Sequence, residues 1–199
     1  QKRFSEYVAS MKADSLRSSR LGTKSCIDAI NAAIASRNWY AQNPAIDLVV
    51  SNGPTHATSL SEPQQVRLGR NILQAGEGNA DSAEEFLARL SEGDTSWPIG
   101  VARGIALESF INERDEVRFK TRHLDEVLAT LSHMKAVQRK MVISEIAESI
   151  DRGTPNAMVD ADDFKRVMKA LKPHPWTAPL TASLKAKAST LPAEDHDDK

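Results

Sequence analysis

The amino-acid sequence predicts an all-α protein, built as a single helical-bundle-like domain of about seven helices. Apolar residues recur three or four positions apart in most windows of the 199-residue chain instead of alternating. Residue types that begin and end helices bound these windows. We expect one domain over residues 1–188 and a disordered acidic tail over residues 189–199.

Two amphipathic helices are expected first, over about residues 4–11 and about residues 27–34, because Phe, Val, Met and Ile recur there with helical spacing. Residues 43–61 then contain one acidic residue, Asp47, no Lys or Arg, and a turn-forming Asn52-Gly53-Pro54. This composition predicts a long low-charge loop.

Two capping boxes follow the loop. Ser61 precedes Gln64 by three positions, and Ser82 precedes Glu85 in the same way, which is the pattern of a helix N-terminus. The second of these helices should end just before Gly93. The next should begin after Pro98, although a glycine in its interior lowers the helical propensity.

The charged run over residues 112–123 either continues this helix or breaks it briefly before an apolar stripe that starts at Leu124. Ser132 is expected to cap a further helix that ends at Gly153. Another helix is expected to open in the acidic cluster at 160–163 and to end at Pro173.

Composition excludes several classes of protein. The chain has 26 Lys and Arg against 27 Asp and Glu, so any strongly basic surface must be local. A single cysteine, Cys26, excludes a disulfide scaffold and a thiolate zinc site, and it favours an intracellular, cytoplasmic location. No apolar run approaches the roughly 20 residues that a membrane span requires. The five histidines lack metal-site spacing, so we expect no metal and no cofactor.

The segment 118–123 has the sequence Arg-Phe-Lys-Thr-Arg-His and places Arg118 five positions before His123 on a predicted helix. This spacing resembles the R-x4-6-H motif of the HEPN family, all-helical proteins that are often ribonucleases. The resemblance implies His123 as general acid or base and Arg118 as the group that stabilises phosphate charge. A solvated, charged helix face is the alternative interpretation.

Residues 164–188, the basic C-terminal segment, contain no acidic residue. Clustered Lys and Arg attract phosphates through counterion release, and Trp176 can stack on an unpaired base. Alternatively, the cations solubilise the surface and Trp176 packs in the core. The candidate nucleic-acid-binding residues are Lys165, Arg166, Lys169, Lys172, Trp176, Lys185 and Lys187.

The leading hypothesis is therefore a non-enzymatic helical interaction or assembly subunit that contacts nucleic-acid phosphates through the basic C-terminal segment. Its expected partners are RNA or another single-stranded nucleic acid, together with a protein partner or a second copy, and no membrane. Two alternatives stay open: a HEPN-like ribonuclease that uses Arg118 and His123, and a protein–protein adaptor without nucleic acid. The adaptor hypothesis predicts a buried Trp176 and lysines that are scattered over the surface or paired with acidic residues.

Overall fold

The computed structural model describes residue 50 and residues 54–78, 81–155 and 161–188. These residues form seven helices of ten residues or more, preceded by a helical turn at Pro54–Ala57. The prediction of an all-α fold is confirmed. The helices are α1 (Glu62–Glu77), α2 (Asp81–Ser91), α3 (Ile99–Phe110), α4 (Leu124–His133), α5 (Ala136–Arg152), α6 (Ala161–Leu171) and α7 (Ala178–Ala188).

Several predicted segments lie outside the described residues: the helices near 4–11 and 27–34, most of the loop at 43–61, and the tail at 189–199. The described part of the predicted loop differs from expectation, because Pro54–Ala57 is helical. Val50, Ala57 and Leu60 are buried in the core, which accounts for the local order.

The helix boundaries follow the local sequence signals in most places. The Ser61 backbone N–H donates to Gln64 Oε1 at 3.0 Å, as the capping box predicts. Gly93 follows α2 with a φ of 100°, a left-handed conformation that glycine adopts without strain. Pro98 immediately precedes α3, and Gly153 immediately follows α5.

Two predicted caps are wrong. Helix α2 begins at Asp81, so Ser82 lies inside the helix and does not cap it. Ser132 lies in the last turn of α4, where its hydroxyl donates to the Ala129 carbonyl at 2.6 Å. Helix α5 begins after an extended linker at Met134 and Lys135, so Ser132 is too far from its start to cap it.

The charged run after α3 is not helical. Asn112 Oδ1 accepts the backbone N–H groups of Arg114 (2.9 Å) and Glu116 (3.0 Å), which turns the chain away from the helix. Strand β1 (Glu116–Val117) then pairs in parallel with β2 (Thr154–Pro155), which directly follows α5. The chain has no helical residue between β1 and α4 and turns at Arg122 and His123, so the predicted helix over 118–123 is wrong.

Helices α1 and α3 pack against each other at two glycines. A Cβ on Gly104 would overlap the Val66 carbonyl oxygen, and the carbonyl carbon would be only 2.7 Å away. A Cβ on Gly69 would likewise overlap the Val101 carbonyl oxygen. Gly104 therefore costs helical propensity but permits a close approach of the two backbones.

The remaining helices surround this pair. Helix α5 packs against α3 and α7, and α4 packs against α2, α3 and α6. The largest side chains that are fully buried include Phe86 and Phe110, and Trp97 stands edge-on to Phe86 with ring centroids 4.6 Å apart. Among the helices described, none combines the length and the apolar character that crossing a membrane would require.

Candidate anion-binding cleft

A cleft with a volume of about 1390 Å³ opens beside the C-terminal ends of α1 and α3. Its other walls are the extended segment after β1, the start of α4 and the C-terminal half of α6. Most of its lining side chains are polar or charged. The cleft is therefore suited to a polar ligand.

A buried carboxylate forms the floor of the cleft. Glu108 is 2% exposed and accepts hydrogen bonds from Arg70 Nη1 (2.8 Å), Gln74 Nε2 (2.9 Å) and Lys120 Nζ (2.7 Å). Arg70 also donates to the Ile111 carbonyl at 2.9 Å. This network joins α1, α3 and the extended segment, and a buried charge is tolerated because its oxygens have partners.

The extended segment lies along the end of α3. The backbone N–H of Arg118 donates to the Phe110 carbonyl, and that of Lys120 donates to the Ser109 carbonyl, both at 3.0 Å. All five residues from Arg118 to Arg122 line the cleft, and three of them are cations: Arg118, Lys120 and Arg122. Lys120 pairs with Glu108 and Arg122 pairs with Glu84, whereas the exposed Arg118 has no hydrogen-bond or ion-pair partner for its side chain among the described residues.

Helix α6 supplies a second group of cations to the cleft. Val167 and Leu171 are buried and anchor the helix, while Arg166 and Lys169, three positions apart, are exposed and line the cleft. Neither cation pairs with another residue in the described part of the chain. Phe119 and Phe164 contact each other with ring centroids 6.5 Å apart, so the extended segment and α6 lie side by side.

The lining also includes acidic side chains, so the cleft does not carry a single sign of charge. Glu113 lies 3.7 Å from Arg67, and Glu116 accepts a hydrogen bond from Asn112 Nδ2 at 2.7 Å. The other acidic residues of the lining are Glu77, Asp125 and the buried Glu108. Cations and carboxylates are therefore interspersed along the cleft, and an anionic ligand is attracted to the unpaired cations of the lining.

The two residues of the HEPN-like motif differ in their relation to the cleft. Arg118 lines the cleft, whereas His123 is 7% exposed and is not among the lining residues. A Cβ on Gly76 would lie 3.5 Å from His123 Nε2, which places the ring against the last turn of α1. The imidazole Nδ1 lies 4.0 Å from Glu126 Oε1, and Nε2 has no hydrogen-bond partner among the described residues.

The cations of the basic C-terminal segment point in different directions. Arg166 and Lys169 reach the cleft, but Lys172 and Lys185 are exposed outside it. Lys187 Nζ donates to the carbonyls of Asp151 (3.0 Å) and Gly153 (2.7 Å), so it caps the C-terminus of α5. Lys165 Nζ lies 3.1 Å from Asp162 Oδ1 one turn earlier on α6.

Trp176 lies in a short 3-10 turn (Pro175–Thr177) between α6 and α7, outside the lining of the cleft. Its ring is half-buried and packs against the core. The Arg139 guanidinium lies over the ring, 5.2 Å from the centroid, and the His174 ring lies 5.0 Å away. His174, which the sequence analysis did not select, lines the cleft.

Within the described ranges, no group of three or more His, Cys, Asp or Glu side chains is arranged to hold a metal ion. No protein-family model, curated protein or solved structure matches this chain. The function proposed below therefore depends on the residues of the cleft.

Proposed function

We propose that the protein is a non-enzymatic interaction subunit whose cleft binds the phosphates of single-stranded nucleic acid. One observation carries the proposal: four exposed cations line the same cleft and have no ion-pair partner among the described residues, namely Arg114, Arg118, Arg166 and Lys169. Unpaired cations of this kind gain free energy from a phosphate without first losing an internal ion pair.

The size of the cleft supports a polymeric ligand. Small-molecule sites usually have volumes of about 300–1000 Å³, and this cleft, at about 1390 Å³, is larger. The candidate phosphate contacts also come from two separate parts of the chain, the segment that contains Arg114 and Arg118 and helix α6, so a ligand that touches both must span the cleft. A strand of several nucleotides meets this requirement, because its phosphates repeat along its length.

Protein–protein adaptor function is a second candidate, and specific contacts favour it. Lys165 pairs with an acid, Lys187 caps a helix, and Trp176 is half-buried. The adaptor hypothesis predicts lysines that are scattered or paired with acids, and a Trp176 that is buried. The acidic residues of the cleft lining would also suit a partner that carries both signs of charge. The binding experiment below separates the two candidates.

We expect the affinity for an end-labelled single-stranded RNA of about 12 nucleotides to fall about 50-fold between about 50 and about 200 mM salt, because four phosphate contacts give a slope of about −2.8 in log affinity against log salt. In the double variant Arg166→Gln/Lys169→Gln, two contacts remain, and the fall should be only about sevenfold. Fluorescence anisotropy measures the salt dependence of the affinity for both proteins. The same measurement with DNA of the same sequence shows whether the affinity depends on the sugar.

The matched control is Lys165→Gln/Lys185→Gln, which removes the same charge from exposed positions outside the cleft. It should keep the wild-type slope. Equal slopes for the two double variants would contradict the assignment of phosphate contacts to the cleft. An anisotropy that never rises would favour the adaptor, and a rise followed by a decay that His123→Ala abolishes would favour the ribonuclease.

A further inference from the structure

His174 occupies a rigid position at the edge of the cleft. Pro173 and Pro175 flank it, and each proline fixes its own φ angle. The His174 backbone N–H donates to the Leu171 carbonyl at 3.0 Å. Its carbonyl accepts from the N–H (2.9 Å) and the hydroxyl (2.7 Å) of Thr177, which is 2% exposed. Both backbone polar groups of His174 are thus held in place.

The imidazole ring of His174 packs against Trp176, which in turn packs against Arg139. Arg139 covers the Trp176 ring, and the His174 ring packs on Trp176 at 5.0 Å with an interplanar angle of 47°. The His174 side chain has no hydrogen bond or ion pair with any residue that the structure describes. The half-buried ring is therefore supported from behind by Trp176 and available at the cleft.

The cations of α6 lie directly before this ring in the chain. Lys169 is in the last turn of α6, and the hydrogen bond to Leu171 ties His174 to the end of the same helix. Proteins that bind single strands without strong sequence preference combine cations along the backbone with aromatic rings on which bases stack. The cleft contains both components on one continuous stretch of chain.

We propose that His174 is a stacking platform for one unpaired base, while Arg166 and Lys169 contact the neighbouring phosphates. The inference rests on the proposed function and deepens it, because it assigns the base-contacting residue of the same cleft. It also replaces Trp176, which the sequence suggested for this role, with a ring that lines the cleft. The platform accepts any base, because every base has a π-face.

The test compares an oligonucleotide of adenines with an abasic strand that has the same number of phosphates. We expect wild-type protein to bind the adenine strand about tenfold more tightly than the abasic strand, a factor typical for one stacked base. His174→Ala should remove this difference, leave abasic binding unchanged and keep the salt slope. His174→Phe should restore the difference, because it retains an aromatic ring.

Three results would overturn the stacking role. In the first, the His174→Ala variant binds both strands as wild type does. In the second, it loses affinity for both strands equally. In the third, the His174→Phe variant fails to restore the preference for the adenine strand. Matching melting temperatures of the variants would show that the fold is intact. If wild type binds neither strand, the proposed function fails as well. If it binds both equally, with the Arg166 and Lys169 dependence intact, only the stacking role fails.

Discussion

Gly104→Ala is expected to lower the free energy of unfolding by about 3 kcal/mol, at the upper end of the usual cost of overpacking a core. The new Cβ would overlap the Val66 carbonyl, and a backbone group cannot rotate away as a side chain can. Helices α1 and α3 would have to separate, although alanine is the better helix former by about 1 kcal/mol. Gly69→Ala should act in the same way from the other helix, because its Cβ would overlap the Val101 carbonyl.

The matched control for this prediction is Gly76→Ala in α1. Its Cβ would meet a Leu87 methyl carbon at 3.0 Å, and a leucine side chain can adjust its rotamer. The control should therefore change the free energy of unfolding by no more than about 1 kcal/mol. Urea denaturation of the three variants measures these differences as midpoint shifts at constant slope. Equal effects of Gly76→Ala and Gly104→Ala would argue against close backbone packing of α1 and α3.

Glu108→Ala is expected to destabilise the protein by about 3–5 kcal/mol, the usual cost of breaking a buried ion pair by removing one partner. Arg70 and Lys120 would lose their shared carboxylate, and Lys120 is held at a side-chain exposure of 9%. Glu108→Gln keeps the shape and one carbonyl acceptor, so its cost should be smaller. Lys120 also lines the cleft, and losing its carboxylate partner leaves it unpaired, so the folded alanine variant should bind nucleic acid at least as tightly as the wild type.

Glu113→Ala is the control for the buried carboxylate. Glu113 also lines the cleft, but its side chain is 43% exposed and its partner Arg67 is 38% exposed. An exposed pair of this kind contributes about 0–1 kcal/mol, so the variant should unfold almost as the wild type does. Thermal and urea unfolding of the Glu108 and Glu113 variants compare the two sites. A Glu108→Ala variant as stable as Glu113→Ala would refute the role of the buried network.

The sequence predicted the elements that depend on near neighbours. The capping box at Ser61 and Gln64 and the glycine after α2 act within one helical turn, so they can be recognised from the residue order alone. Ser132 was misassigned because a serine hydroxyl can cap a following helix or bond back to a carbonyl three residues earlier. The choice between these bonds depends on where the preceding helix ends.

The cleft could not be predicted in the same way. Glu108 joins Arg70, 38 positions earlier, to Lys120, 12 positions later, and no local pattern specifies that meeting. The segment 118–123 has residues that suit a helix, but Asn112 turns the chain and β1 pairs with a strand beyond α5. Arg118 therefore lines the cleft together with residues of α6, and His123 is buried outside the lining.

By itself, the sequence determined that this protein is built from helices and where most of them begin and end, because periodicity and capping are local properties. Only the tertiary structure decided which cations share a cleft, which are used as caps, and which aromatic rings line the cleft. The physical reason is that a helix has one apolar stripe that must be buried, but the stripe does not specify its partner. The packing of α6 beside the extended segment places Arg166 and Lys169 in the same cleft as Arg118.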